Sequence, residues 1–215
     1  MRDFDMVIFD CDGVLVDSEP LTNRALQRNL AGYGLEMSLA EIMARFVGGT
    51  IAGVGDEARA MGADLPDAWV DEMYAQMFDA LTDVEAIPGA AGVLDVLDAD
   101  GIVYAVGSNG PHAKMKITLP LCGFAERLGE RVYSREDVAR PKPAPDVYLH
   151  AAREAGVRPE RCVVVEDSGS GAQAGRAAGM FVAGFHAESD IEKLRPHCDL
   201  LFDRMDDLPG LLGLR

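Results

Sequence analysis

Short runs of apolar residues recur along this chain, and each run ends where polar residues begin. The three clearest runs are residues 5–9, 102–106 and 162–165. Three weaker runs are residues 131–133, 180–183 and 199–202. Unbroken apolar runs are typical of strands that are buried on both faces of a parallel sheet. The pattern therefore predicts a mainly parallel sheet.

Segments with helical periodicity lie between these runs. Residues 88–99 carry apolar positions at helical spacing and are followed by Gly101, a residue that commonly ends helices. Pro145 begins a second such segment, and residues 169–178 are rich in Gly and Ala, which lets a helix lie close to a sheet. The alternation predicts a doubly wound α/β core with a parallel, Rossmann-like sheet.

One stretch, from about residue 17 to 85, predicts helices and no strand. Ser38 and Glu41 have the spacing of a capping box, and Pro66 is expected to open a helix with an apolar stripe that includes Trp69. We interpret that stripe as core packing. Residues 1–15 and 86–215 are therefore expected to form the α/β core domain, and residues 16–85 an inserted α-helical cap domain.

Composition restricts the partners. The chain has 215 residues, of which 48% are hydrophobic, and a net charge of −16. This charge repels nucleic acid and anionic lipid, so we expect neither a nucleic-acid partner nor a membrane partner. The first residues lack the features of a signal peptide, and the four cysteines are scattered, which together predict a reduced, cytoplasmic protein. We also expect a monomer.

Polar residues that could take part in catalysis or binding follow three of the predicted strands. They are Asp10 and Asp12, Ser108 and Asn109, and Glu166 and Asp167, with Lys142 in a loop before a helix. In an open parallel sheet, the carboxyl ends of the strands form the ligand crevice, so these side chains are expected to converge. Any one of these motifs alone is more often a turn, a solvated loop or a helix cap. Their joint placement at strand ends favours a site.

This set of residues fits phosphate chemistry. Carboxylates in one crevice repel each other unless a cation is present, and oxygen ligands suit Mg²⁺. Lys142, the Ser108 hydroxyl and N–H groups of a helix near Pro111 would hold phosphate oxygens. Asp10 can attack phosphorus, while Asp12 protonates the leaving oxygen and then activates water.

Four motifs of this chain resemble those of the haloacid dehalogenase superfamily. They are residues 9–19, Ser108 as a hydroxyl motif, Lys142 in a Lys-Pro-x-Pro loop, and the pair Glu166 and Asp167. The resemblance covers nearly the whole chain. It indicates the branch that includes β-phosphoglucomutase and small sugar-phosphate phosphatases. Residues 108–115 are similar to a subgroup that includes a 6-phosphogluconate phosphatase.

The resemblance implies roles for individual residues. Asp10 would be the nucleophile and Asp12 the acid/base. Mg²⁺ would be bound by oxygen atoms of the Asp10 side chain, the Asp12 backbone carbonyl and Asp167, with Glu166 binding directly or through water. The phosphate would be held by Ser108, the backbone at Asn109, and Lys142. The substrate would be a small phosphorylated metabolite, most simply a sugar or sugar-acid phosphate, under the inserted cap.

Other functions remain open. A mutase of this branch carries a histidine where Thr22 stands and basic residues where residues 47–51 stand, so a phosphatase is favoured over a mutase. Dehalogenases of the superfamily lack an equivalent of Asp12, so phosphoryl transfer is favoured over dehalogenation. A phosphorylatable receiver domain, which would be a signalling module, also uses clustered aspartates, a hydroxyl residue and a lysine. The second aspartate and the helical insertion oppose that alternative. A binding protein without catalytic activity is the last alternative.

Overall fold

A computed structural model describes residues 4–46 and 50–214. Residues 47–49, part of the segment compared above with the mutase, lie outside the described residues. The chain divides into two compact units. The first unit consists of Met1–Asp17 and Glu85–Arg215, and the second unit is Ser18–Val84.

The first unit is built on a six-stranded sheet in which every pairing is parallel. The strands of the described residues are β1 (Met6–Phe9), β2 (Val16–Asp17), β3 (Glu85–Ala86), β4 (Val103–Ser108), β5 (Val132–Ser134), β6 (Cys162–Glu166), β7 (Phe181–Phe185) and β8 (Leu200–Phe202). The sheet order is β5-β4-β1-β6-β7-β8, which confirms the predicted parallel α/β core. The short antiparallel pair of β2 and β3 was not predicted, because two residues are too few to show a periodicity.

The order of the strands places a crevice beside β1. From β1 the chain continues to β4 and β5 on one side, and β6, β7 and β8 follow on the other side. Such a reversal in strand order is the topological switch point at which open α/β sheets bind ligands. Phe9, the last residue of β1, lies opposite Val106 and Val165. The residues that follow β1, β4 and β6 therefore meet at one edge.

Helices cover the sheet. The described helices are α1 (Glu19–Gly32), α2 (Leu39–Phe46), α3 (Ile51–Ala60) and α4 (Trp69–Ala80) in the second unit, and α5 (Ala90–Ala99), α6 (His112–Leu121), α7 (Ala125–Leu128), α8 (Asp146–Glu154), α9 (Gly169–Ala177), α10 (Ile191–Leu194) and α11 (Leu208–Leu212) in the first. Helix α8 packs on β1, β4 and β5, and α9 packs on β6 and β7. A Cβ at Gly175 would lie 3.0 Å from Val182 and 3.2 Å from Val164, so the small residues of α9 do bring it close to the sheet.

The second unit is helical, with its own apolar core. Helix α1 packs on α2 and α4, and α3 packs on α4. The capping box is confirmed, since the Ser38 N–H donates to Glu41 Oε2 at 2.8 Å and the Glu41 N–H donates to Ser38 Oγ at 3.3 Å. The helix that Pro66 was expected to open begins at Trp69 instead, and the Pro66 carbonyl accepts the Trp69 N–H in a preceding turn.

A polar network joins α1 to α4 inside this unit. The indole Nε1 of Trp69 donates to Asn29 Oδ1 at 2.7 Å, and Asn29 Nδ2 donates to Glu72 Oε1 and Gln76 Oε1, each at 3.1 Å. The Tyr33 hydroxyl donates to Glu72 Oε2 at 2.6 Å, and this bond raises the pKa of Tyr33. Across the described residues, no helix is both long and apolar enough to span a bilayer.

Candidate active site

Asp10 begins the site, directly after β1. Its backbone N–H donates to the Val165 carbonyl at 2.9 Å, which ties the residue to the adjacent strand β6. Burial raises the pKa of its carboxyl to about 7, against the opposing effect of Lys142. The nearby carboxylates of Glu166 and Asp12 raise this pKa further. The ionised form of Asp10 therefore depends on positive charge close by.

Lys142 provides one such charge from the loop before α8. Its Nζ lies 2.6 Å from Asp10 Oδ1 and 2.6 Å from Glu166 Oε1. The same Nζ lies 4.6 Å from the centroid of the Tyr148 ring, a cation–π distance. Burial alone would lower the pKa of Lys142, but the carboxylates of Asp10 and Glu166 raise it overall. Lys142 is therefore a buried ammonium.

Glu166 ends β6 and is fully buried, yet every side-chain oxygen is hydrogen-bonded. Its Oε1 accepts from Lys142 and from the Tyr148 hydroxyl at 2.7 Å. Its Oε2 accepts from the Ser168 N–H at 3.0 Å and the Ser168 hydroxyl at 2.8 Å. Burial alone would raise the pKa of Glu166, but Lys142 and these hydrogen bonds lower it. Glu166 is therefore a fixed carboxylate.

Asp12 lies in the turn after β1 and has its own lysine. Lys114, in the first turn of α6, places its Nζ 2.7 Å from Asp12 Oδ1. Burial opposes the charge of Lys114, but Asp12 raises its pKa. Gly13 follows at a φ of +76°, and a Cβ there would overlap the carboxylate of Asp167. The turn thus needs glycine both for its backbone conformation and for its closeness to Asp167.

Ser108 and Asn109 follow β4. The buried Ser108 Oγ accepts the Gly110 N–H at 2.9 Å. The Asn109 side chain holds the lysine loop, since its Oδ1 accepts the Lys142 N–H at 2.9 Å and its Nδ2 donates to the Lys142 carbonyl at 3.2 Å. The peptide bond from Lys142 to Pro143 is cis. The Asn109 side chain thus positions Lys142, a contact that the sequence did not predict.

The start of α6 differs from expectation. Pro111 is its N-cap residue, and the His112 N–H donates to Glu136 Oε2 at 2.9 Å. One of the amide groups that the sequence assigned to a phosphate is therefore bonded to a side chain of the protein. The expectation that N–H groups near Pro111 hold phosphate oxygens therefore does not extend to His112.

Oxygen atoms of Asp10, Glu166 and Asp167 lie within 4.8 Å of one another. Asp167 is only partly buried, and its Oδ2 accepts from the Ser189 hydroxyl at 3.2 Å. Three carboxylates around a single lysine leave excess negative charge, and an all-oxygen donor set suits a hard cation. These residues fit Mg²⁺.

Most of the residues singled out in the sequence meet at this edge. Asp10, Lys142, Glu166 and Asp167 form one cluster, and Asn109 is bonded to the loop of Lys142. Sequence reasoning missed the contacts of four further side chains: Lys114, Ser134, Tyr148 and Ser189. For Tyr148 the available signal was its position within a helix next to the lysine loop.

Comparisons with known proteins give consistent matches. A family model described as haloacid dehalogenase-like hydrolase matches residues 4–179. The chain is 32% identical to 6-phosphogluconate phosphatase of Escherichia coli (strain K12), with 100% of this chain and 97% of that protein covered. It is 31% identical to hexitol phosphatase A of the same strain, with 94% and 91% covered. A solved HAD family hydrolase from Deinococcus radiodurans R1, with bound phosphate and sodium, is 36% identical with a TM-score of 0.85, and the match covers 99% of this chain and 96% of that chain.

Proposed function

The chain belongs to the haloacid dehalogenase-like hydrolase family, and from that premise we propose that it is a Mg²⁺-dependent phosphatase acting through an aspartyl-phosphate on Asp10. Its class is phosphoric monoester hydrolase. The observation that carries the proposal is the buried cluster in which Lys142 contacts both Asp10 and Glu166, with Asp167 beside them. In this proposal the cluster supplies the nucleophile, a phosphate-binding cation and the metal ligands in one place.

Mg²⁺ would be held by Asp10, Asp167 and the backbone carbonyl of Asp12. Glu166 already accepts four hydrogen bonds, which favours its acting on the metal through water. The bound metal supplies charge neutralisation between the Asp10 carboxylate and the phosphate. Lys142 and Ser108 hold the phosphate oxygens in this proposal.

The proposed reaction proceeds in two steps. In the first, a carboxylate oxygen of Asp10 bonds to phosphorus while the ester P–O bond breaks, and the Asp12 carboxyl gives its proton to the leaving oxygen. In the second, Asp12 takes a proton from water as the water oxygen bonds to phosphorus. The bond between Asp10 and phosphorus breaks as the new bond forms, which releases inorganic phosphate and returns Asp10 as a carboxylate and Asp12 as its protonated carboxyl.

The proposed substrate is a small polar monophosphate, a sugar or sugar-acid phosphate. Two relatives support this class, since one is a 6-phosphogluconate phosphatase and the other a hexitol phosphatase. In this proposal the helical unit serves as the cap that excludes bulk water and selects the leaving group. Location in the cytoplasm and a monomeric state stay predictions.

The experiment is phosphate release from a panel of metabolite monophosphates, with Mg²⁺ or with chelator. The panel includes 6-phosphogluconate, hexitol phosphates, a phosphopeptide, and β-glucose 1-phosphate with an isomerisation readout. We expect metal-dependent release from sugar or sugar-acid phosphates. Isomerisation without release would replace the phosphatase by a mutase, and release from the phosphopeptide alone would overturn the substrate class.

The nucleophile is tested by Asp10→Asn. An amide cannot form the acyl phosphate, so we expect turnover to fall by at least about 10³-fold, while the circular dichroism spectrum and the melting temperature stay close to those of the native chain. Asp203→Asn is the control, because it removes an exposed carboxylate from the same unit. Near-normal turnover in Asp10→Asn would refute the assignment.

A further inference from the structure

Lys114 occupies a position that disfavours a lysine. It is the third residue of α6, where the positive end of the helix dipole opposes a cation. Its side chain is only 17% exposed, and a lysine so deeply placed requires an anionic partner. Asp12 is that partner, with its Oδ1 2.7 Å from the ammonium nitrogen. The ion pair offsets an otherwise unfavourable placement.

The pair lies against the turn that follows β4. A Cβ built on Gly110 would lie 3.6 Å from Asp12 Oδ2, 3.8 Å from Lys114 Cδ and 3.2 Å from Ser108 Oγ. On its other side, the backbone of Asp12 belongs to the turn in which the Gly13 N–H donates to the Val16 carbonyl at 2.9 Å. The turn fixes the backbone of Asp12, and Lys114 fixes its carboxylate.

We propose that Lys114 is a positioning residue, which holds Asp12 through Oδ1 so that the proton given to the leaving oxygen, and later taken from water, is carried on Oδ2. The inference rests on the proposed function, because it gives Lys114 a part in the same reaction. Lys142 cannot take this part, since its Nζ is bonded to Asp10 and Glu166. The site thus has one lysine for the nucleophile and another for the acid/base.

The test compares two substrates whose leaving groups differ in their need for a proton. p-Nitrophenolate leaves readily without protonation, whereas phenolate, of similar shape, depends more on a general acid. The measured quantity is the ratio of the first-turnover rate constant for p-nitrophenyl phosphate to that for phenyl phosphate, each at saturating substrate. In Lys114→Met this ratio should rise by about tenfold or more, because general acid catalysis contributes about 10²–10⁴-fold to rate. KM should change by less than about threefold for either substrate.

Two further variants separate positioning from folding. Lys116→Met removes the same charge from an exposed position on the same helix, so the ratio should stay at the native value. Lys114→Arg keeps an N–H donor for Asp12 and should restore most of the lost rate with phenyl phosphate, which keeps the test valid even if Lys114→Met folds poorly.

The outcomes are distinct. An equal loss of rate with both substrates in Lys114→Met, or no rescue by a folded Lys114→Arg, would show a merely structural lysine and overturn the inference. Native enzyme that releases phosphate neither from these two esters nor from the sugar and sugar-acid phosphates of the panel would instead overturn the phosphatase, and the inference with it.

Discussion

At the scale of single residues, Asp10 and Glu166 share one lysine, but their surroundings shift their pKa values in opposite directions. Burial raises the pKa of both, and the remaining contacts decide the result. Glu166 accepts four hydrogen bonds, and its pKa is lowered. Asp10 accepts a hydrogen bond from Lys142 at Oδ1, and its pKa is raised to about 7. Glu166 therefore works as a fixed anchor for Lys142. Asp10 is the carboxyl that gains most from a further cation.

The anchor depends on a glycine. A Cβ on Gly171, in the first turn of α9, would overlap the Glu166 carboxylate, which its four hydrogen bonds hold in place. We expect Gly171→Ala to displace that carboxylate, to lower activity, and to destabilise the protein by about 1–3 kcal/mol through overpacking. Measured kcat and denaturant unfolding check this. Gly92→Ala is the matched control, because a Cβ there has nothing within 4 Å and alanine favours helix α5 by about 0.5–1 kcal/mol. Equal behaviour of the two variants would contradict the argument.

At the scale of elements, the helical unit combines an apolar core with the polar network between α1 and α4. Trp69 is fully buried, and its N–H is bonded to Asn29, which bonds in turn to Glu72 and Gln76. A buried donor without a partner costs about 1–3 kcal/mol, so such a network fixes one register of the two helices.

Removal of the central amide tests this. Asn29→Ala leaves the buried Trp69 N–H without its acceptor, and we expect the free energy of unfolding to fall by about 1–3 kcal/mol. The chain contains one tryptophan, so its fluorescence in a urea titration reports on this unit. Arg24→Ala, at an exposed position of α1, should change the unfolding midpoint little. A midpoint for Asn29→Ala as close to native as that of Arg24→Ala would disprove the role of the network.

The same scale explains what the sequence could predict. Buried parallel strands appear as apolar runs, and polar residues at the ends of β1, β4 and β6 predict a shared edge, because parallel topology brings those ends together. Side-chain partners such as Asn109 with Lys142 were missed, since residues 33 positions apart leave no local pattern. The pair of β2 and β3 was missed because each strand has only two residues and because its pairing joins segments on either side of the second unit in the sequence.

At the scale of the whole molecule, the net negative charge of the chain opposes the binding of a phosphorylated substrate. The chain carries a net charge of −16, and a phosphate monoester is itself an anion. The two lysines of the site, Lys142 and Lys114, are already paired with carboxylates. Binding a phosphate there therefore requires additional positive charge, which a divalent metal supplies.

Because the three carboxylates of the proposed metal site all belong to the first unit, Mg²⁺ should stabilise that unit locally. A ligand at 100 times its Kd stabilises the state it binds by about 2.7 kcal/mol, which slows hydrogen exchange about 100-fold where opening breaks the site. We expect such slowing for amides at the carboxyl ends of β1 and β6, measured by mass spectrometry with Mg²⁺ and with chelator. Helices α1 to α4 should exchange at unchanged rates. Asp167→Asn should abolish the difference, whereas the exposed-site variant Asp203→Asn should keep it. Protection that survives in Asp167→Asn would place the metal elsewhere.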